Sequence, residues 1–558
     1  MRPRSALPSL GMWPTYLSAA QLETAPSWLR AFGLFVDDAT GPGVTAPRLR
    51  RFAGIECLNL FNAPGDDADL LAAVLAEHPA LHTLHLSTRY TAKPLSLLPL
   101  AGRALTRGIF SLGAALDATA GNALSGVRSM MLIASTVTPA GLAALTAVED
   151  LDLPNATLTA PAAAALATLP SLRTLRCGAS GSLASLGGAA SLEHLELRGR
   201  ALTADEAVAL AARPTLRALD VTACTAADLD ALGAFASSTA RVHVRLAPAE
   251  GTLDDLLRRL ARSLPSLAAL SLQPAATPRV KAYTPDGLQA LSGIEALEWL
   301  SLRMLRLKGL KPAHLAGLRA LPRLRHLSLA EATAWGATVT EVAKDLTSLH
   351  TLDLLGAPVS DASCKHLAKL SLRALRVSDA TLGPRGLAQL SAADAPRRLD
   401  LGVEKGGFTD DGLRALAGYT NLEQLHLTEG RGPGEDPTTL APLCALPRLR
   451  ALSVGLAGST NAWLSSLAAA PSLEAFALTR RWSPGRVGQL GPGAVTELLR
   501  CPTLRVAELL EGSVSTEEAA ALEASGRLAV GHGSHSPDDL MTAALAETLH
   551  PDGARLRD

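Results

Sequence analysis

A short apolar ladder, LxxLxL, recurs along most of this chain at intervals too small for a free-standing unit. Between Val148 and Leu197 it is written three times, as VEDLDL, LRTLRC and LEHLEL, with alanine-rich segments between. Its sixth position falls at Leu153, Cys177 and Leu197, steps of 24 and 20 residues. A unit of that size cannot enclose its own leucines, so each must seal against the next. Few residues per unit are extended, so the ladders are expected to pair as parallel strands one repeat apart. Parallel strands need a crossover, and the alanine-rich segments supply it.

A chain of 558 residues would ordinarily suggest three or four domains. A stack of repeats escapes that expectation because its core grows in one dimension. Composition agrees: 48% of residues are hydrophobic but only 3% aromatic, so leucine and alanine fill thin, regular layers. Lys+Arg and Asp+Glu both number 52, which argues against a broad electrostatic grip on nucleic acid. Charged residues break every apolar run short of the ~20 needed for a membrane span. The N-terminus lacks a sustained apolar segment, so no secretory signal is expected. The six cysteines lie far apart with no CxxC pair, and core thiols in a cytoplasmic protein are the simple expectation.

Taken in order, residues 1–50 do not fit the repeat. They hold Trp13, Tyr16, Trp28, Phe32 and Phe35 and read as an N-terminal cap. Ladders follow at 55–60 (IECLNL) and 81–86 (LHTLHL), and the pattern then blurs from Arg89 to Gly126. That gap has room for one degenerate repeat or an insertion. From Val127 the series is nearly unbroken to LRVAEL at 504–509, with a remnant, LAV, at 528–530. The solenoid thus spans 51–530 in roughly 18–20 repeats. Residues 531–558 read as a C-terminal cap helix and tail.

The alternation points the fourth and sixth ladder positions inward. Thr203 with Glu206, and Ser515 with Glu518, fit helix capping boxes. Thr138, Thr284 and Ser536 each precede a proline, as an N-cap precedes proline in the first turn.

LxxLxL, a turn and an amphipathic helix, repeated every 20 to 30 residues, resembles the leucine-rich repeat, and among its subclasses the ribonuclease-inhibitor-like and bacterial GALA-like ones. The resemblance implies an α/β horseshoe, with a parallel sheet on the concave face, helices on the convex face, and protein binding as its usual role. The asparagine usual after the ladder is replaced here by Ala156, Ser180, Cys224 and Ala357, so those turns must satisfy their backbone differently.

The third, fifth, seventh and eighth ladder positions are expected to face solvent on the sheet. The fifth-position column includes Asp152, Arg176 and Glu196, and later Asp353, Arg376 and Asp400, with ion pairing expected within each trio. Trp299 is the sharpest single feature. It sits at a third position, with Arg303 at the seventh of the same repeat and His326 at the third of the next. Ser271, Ser301 and Ser328 keep the adjacent column small. Trp and Arg most often dominate interface energy, so Trp299, Arg303, His326, Asp353, Arg376 and Asp400 form the candidate protein-binding set. Arg303, Arg306, Lys308 and Lys311 read as a solvated basic rim. His532, His535 and Asp538 do not complete a zinc ligand set.

No nucleotide-binding loop, nucleophile elbow or HExxH motif occurs, so neither catalysis nor a cofactor is expected. The leading expectation is a non-catalytic scaffold for a protein partner. A ubiquitin-ligase-type adaptor recruiting through residues 1–50 is the first alternative, and an enzyme with a dispersed active site the second.

Overall fold

The computed structural model describes residues 16–17, 27, 31–35, 49–52, 54–63, 68–88, 97–111, 115–134, 136–238, 241–247, 253–272, 285–302, 317–329, 345–356, 359–392, 396–403, 408–429, 439–455, 461–478, 493–509, 516–526 and 528–532. These fall into two compact units, 16–271 and, in the main, 285–532.

In the first unit the strands are Tyr16–Leu17, Ala31–Phe35, Cys57–Ala63, Thr83–Thr88, Arg107–Ser111, Ser129–Ile133, Asp150–Leu158, Thr174–Ala179, His194–Leu197, Ala218–Ala223 and Arg241–Leu246. Each pairs in parallel with the next in sequence. Ala269–Leu272 is a further strand. In the second unit they are Trp299–Ser301, His326–Ser328, Thr351–Leu354, Ala374–Ala380, Arg398–Val403, Gln424–Glu429, Ala451–Gly455, Ala475–Leu478, Val506–Leu509 and Ala529–His532, again paired consecutively and in parallel. With helical crossovers between them, this is an α/β leucine-rich-repeat solenoid.

The leucine spacing sets the register. Fourth positions pair with fourth positions, Leu151 with Leu175 and Leu175 with Leu195, and all three are buried. Each such leucine contributes about 2 kcal/mol of apolar burial. At the upstream end of most strands the carbonyl of the second ladder position accepts two amides from the next repeat. Glu149 O takes Arg173 N at 2.7 Å and Thr174 N at 2.9 Å; His350 O takes Arg373 N and Ala374 N at 2.7 and 3.1 Å. This fork fixes where each second-position side chain emerges.

Two stretches join the ladder where the leucine pattern fails. Tyr16–Leu17 and Ala31–Phe35 extend the parallel pairing into residues 1–50. In the blurred gap, Arg107–Ser111 pairs on both sides and is a repeat strand. Gly108 holds the leucine's place in register with Leu84 and Met130. A Cβ there would lie 2.2 Å from Phe110 Cε2, so the Phe110 ring fills the volume of the missing side chain.

The crossovers are tied to their neighbours through their caps. Thr138 Oγ1 accepts from Gly141 N at 3.0 Å and donates to Leu116 O of the previous repeat at 2.9 Å. The Thr203–Glu206 capping box forms as the sequence predicts. Glu206 also reaches back to Leu183 N at 2.8 Å and pairs with Arg200. Burial would raise its pKa, but the Thr203 and Leu183 amides and Arg200 hold it below the ordinary value. The turn lacking asparagine at Cys224 is closed by a carboxylate instead: Asp228 Oδ2 accepts from Cys224 N and Thr225 N, both at 2.8 Å. Ser515, Thr284 and Ser536 lie outside the described residues.

None of the six cysteines is in a disulfide. Burial pushes the Cys177, Cys364 and Cys444 thiols up to about 12, as expected of core residues. Among the described residues no helix is long and apolar enough to cross a membrane.

Candidate binding face

Strand register places the fifth ladder positions side by side as the sequence arranges them. The first unit runs Asn59, His85, Ile109, Met131, Asp152, Arg176, Glu196, Asp220, His243. In the second the order is Ser301, Ser328, Asp353, Arg376, Asp400, His426, Ser453, Ala477.

The first-unit column closes on itself. Arg176 Nε lies 3.5 Å from Glu196 Oε2. Asp152 is held by Arg198, at the seventh position two strands away, through contacts of 2.8 and 3.3 Å, rather than by Arg176. Arg198 Nε donates to Glu196 at 3.1 Å. Arg245 Nη2 bridges Glu196 at 3.1 Å and Asp220 at 3.0 Å, and His243 Nδ1 lies 2.9 Å from the same Asp220 oxygen. Burial would raise the Asp220 pKa; the charges and hydrogen bonds of His243 and Arg245 outweigh it and hold the carboxyl below its ordinary value.

Asp220 and His243, with Ser271 at the fifth position of the following ladder, are the residue types of a hydrolytic triad. No hydrogen bond joins Ser271 to His243 among the described residues, and Arg245 shares the carboxylate oxygen that would orient the imidazole. The cluster is a self-neutralising network.

The second unit differs. Trp299 and His326 are paired in register, both half-buried, with Ser301 and Ser328 beside them. Past His326 the third-position column is closed, Thr351 being 2% and Ala374 0% exposed. Asp353 accepts from Ser328 Oγ at 3.0 Å and Leu355 N at 3.1 Å, not from Arg376. Arg376 pairs with Asp400, Nε to Oδ2 at 2.9 Å.

The expectation that the fifth column faces solvent is corrected here. Arg376 and Asp400 are 7% and 5% exposed, and Ser301, Ser328 and His426 are buried too. Neighbouring strands lie about 4.8 Å apart, so short side chains sink between longer ones and the paired Arg376 lies down on its carboxylate. Asp353 is half-buried. Arg303, with Arg306, Lys308 and Lys311, lies outside the described residues, as do His535 and Asp538. Among the described residues no three His, Cys, Asp or Glu side chains come together to hold a metal ion.

Sequence reasoning about the sheet passed over the second ladder position. In the first unit it reads Glu149, Arg173, Glu193, Arg217 in consecutive repeats. Arg173 and Arg217 lie 3.9 and 3.6 Å from Glu193. In the second unit it reads Glu298, Arg325, His350, Arg373, Arg397, Glu423, Arg450, Glu474, Arg505. Charge alternates again only from Arg397, which lies 3.5 Å from Glu423, while Arg450 lies 2.9 Å from Glu474. The signal was available in the sequence: the residue after each ladder's first leucine.

No family model matches the chain, and no curated protein matches it. Among solved structures it is similar to a TLR13–ssRNA13 complex, with a TM-score of 0.45 and 14% identity over 87% of this chain and 81% of that one. It is also similar to an internalin, InlF, from Listeria monocytogenes, with a TM-score of 0.32 and 17% identity over 56% of this chain and 82% of that one. These are distant likenesses, and what the chain binds has to be argued from its own residues.

Proposed function

We propose that the chain is a non-catalytic scaffold that binds a protein partner on its sheet face, with Trp299 and His326 at the centre of the contact. The observation that carries this is their in-register pairing, half-exposed, beside a column of two serines. A rigid indole next to an imidazole on a backbone fixed by its neighbours pre-organises a contact surface, and tryptophan is the residue type most enriched at energetic hot spots. Arg303 belongs to the proposed surface by its ladder position. Arg376 and Asp400 support the sheet beneath it rather than meeting the partner. The α-helical crossovers, as in Ala160–Ala167 and Ala204–Ala211, favour the ribonuclease-inhibitor-like or bacterial GALA-like subclass. Cysteines that form no disulfide favour a cytoplasmic setting.

The test is affinity capture from the host with the intact chain, followed by titration of the recovered partner. Trp299→Ala is expected to weaken that complex at least tenfold, about 1.4 kcal/mol or more, with circular dichroism unchanged. Equal affinity in the variant would remove Trp299 from the contact.

A further inference from the structure

Along the second ladder position, several arginines pair with a glutamate from an adjoining repeat. Arg173, Arg217, Arg397 and Arg450 all do so. One tract lacks that arrangement. Arg325, His350, Arg373 and Arg397 follow one another with no acidic residue among them, and Arg397 is engaged by Glu423 on its far side. Arg325 and Arg373 are exposed and make no ion pair among the described residues. Arg323, just upstream of Arg325, is exposed as well. The acidic groups nearest in register are Glu298 before Arg325 and Glu423 after Arg397; Asp345 is taken by Arg319 at 2.7 Å. The local field registers on the histidine between them: burial first, then the charges of Arg373 and Arg325, push the His350 pKa below its ordinary value.

We propose that Arg325, His350 and Arg373 form a docking strip for an acidic peptide segment of a protein partner. The partner's carboxylates take the place that glutamate holds in the alternating repeats. The strip from Arg325 to Arg373 spans two strand spacings, about 10 Å. An extended peptide presents side chains on one face every ~6.6 Å, so two or three carboxylates cover it. Guanidinium forks suit carboxylates in geometry as well as charge. A nucleic acid fits less well. The chain carries no net charge, so the strip lacks the broad basic field that nucleic acid would need.

The probe is a fluorescein-labelled hexaglutamate peptide, titrated with the full chain by anisotropy at low salt. Saturable binding is expected, falling as salt rises. Arg325→Glu/Arg373→Glu should weaken it at least tenfold. Arg173→Glu/Arg217→Glu, the same charge change in the first unit, should leave it within twofold. Arg325→Gln/Arg373→Gln should also weaken it, which keeps the test open if the glutamate pair fails to fold. No binding by the native chain, or equal loss in both glutamate pairs, would overturn the proposal. So would tighter binding of a thymidine oligonucleotide of equal charge. Trp299→Ala should leave this probe's affinity unchanged, so the strip and the aromatic surface fail separately.

Discussion

The residue after each ladder's first leucine is set by the same backbone fork in both units, yet its chemistry differs. In the first unit Glu149, Arg173, Glu193 and Arg217 alternate, and Glu193 sits between two arginines at 3.9 and 3.6 Å. In the second, Arg325, His350 and Arg373 stand together without a carboxylate. The fifth position shows a parallel contrast. The first unit links three carboxylates and three arginines into a network, whereas the second carries serines, one buried pair and, beside them, an indole. One scaffold can therefore close a face with its own charges or leave it for another molecule, with the leucine frame unchanged.

The largest effect is expected where the second unit does close on itself. Arg376 and Asp400 have side chains only 9% and 7% exposed. Asp400→Ala leaves a buried guanidinium without its carboxylate and should cost about 3–5 kcal/mol, read as a lowered urea midpoint. Trp299→Ala, on the same face, should cost far less stability while weakening partner binding at least tenfold. If Asp400→Ala unfolds like the native chain, the pair is solvated and the correction to the fifth column fails.

The first-unit network should show itself through acid. The Asp220 pKa lies below its unfolded value, so its contribution is fully present above about 3.9 and is lost as pH falls through the depressed folded value. Asp220→Asn should cost about 2 kcal/mol at pH 7, and the gap to the native chain should close as the pH is taken below that range. Unfolding midpoints measured across pH decide it; a gap that stays constant would mean the carboxylate is not what Arg245 and His243 hold.

How much of this could be read beforehand follows from what leucine spacing encodes. It encodes register, so the Asp152, Arg176, Glu196 and Asp353, Arg376, Asp400 columns came out in order. It does not encode how far a side chain reaches. Arg198 crosses two strands to take Asp152, and Ser328 takes Asp353, so only half of each expected trio forms. Nor does it encode substitution by volume. Gly108 breaks the written pattern, but the Phe110 ring restores the core, and the strand escapes a search for leucines. Ala31–Phe35 was hidden likewise, its ladder being written AFGLF. Burial of the fifth column depends on neighbours in three dimensions, which a one-dimensional alternation does not contain.

The smallest effect is the sharpest comparison, because one substitution at one ladder position should change sign between the units. Arg217→Ala removes half of an exposed pair with Glu193, the side chains being 74% and 25% exposed. The loss should be at most about 0.5 kcal/mol. Arg373→Ala removes a charge that has Arg397 beside it and no ion-pair partner among the described residues, so stability should stay level or rise by about 0.3 kcal/mol. The accompanying signature is at His350. Its pKa is held down by burial and then by Arg373 and Arg325, so removing Arg373 should move the imidazole titration upward, followed by proton chemical shifts. An unmoved His350, or a loss in Arg373→Ala matching that in Arg217→Ala, would mean the arginines of the second unit are already neutralised. The two units would then differ in sequence but not in charge.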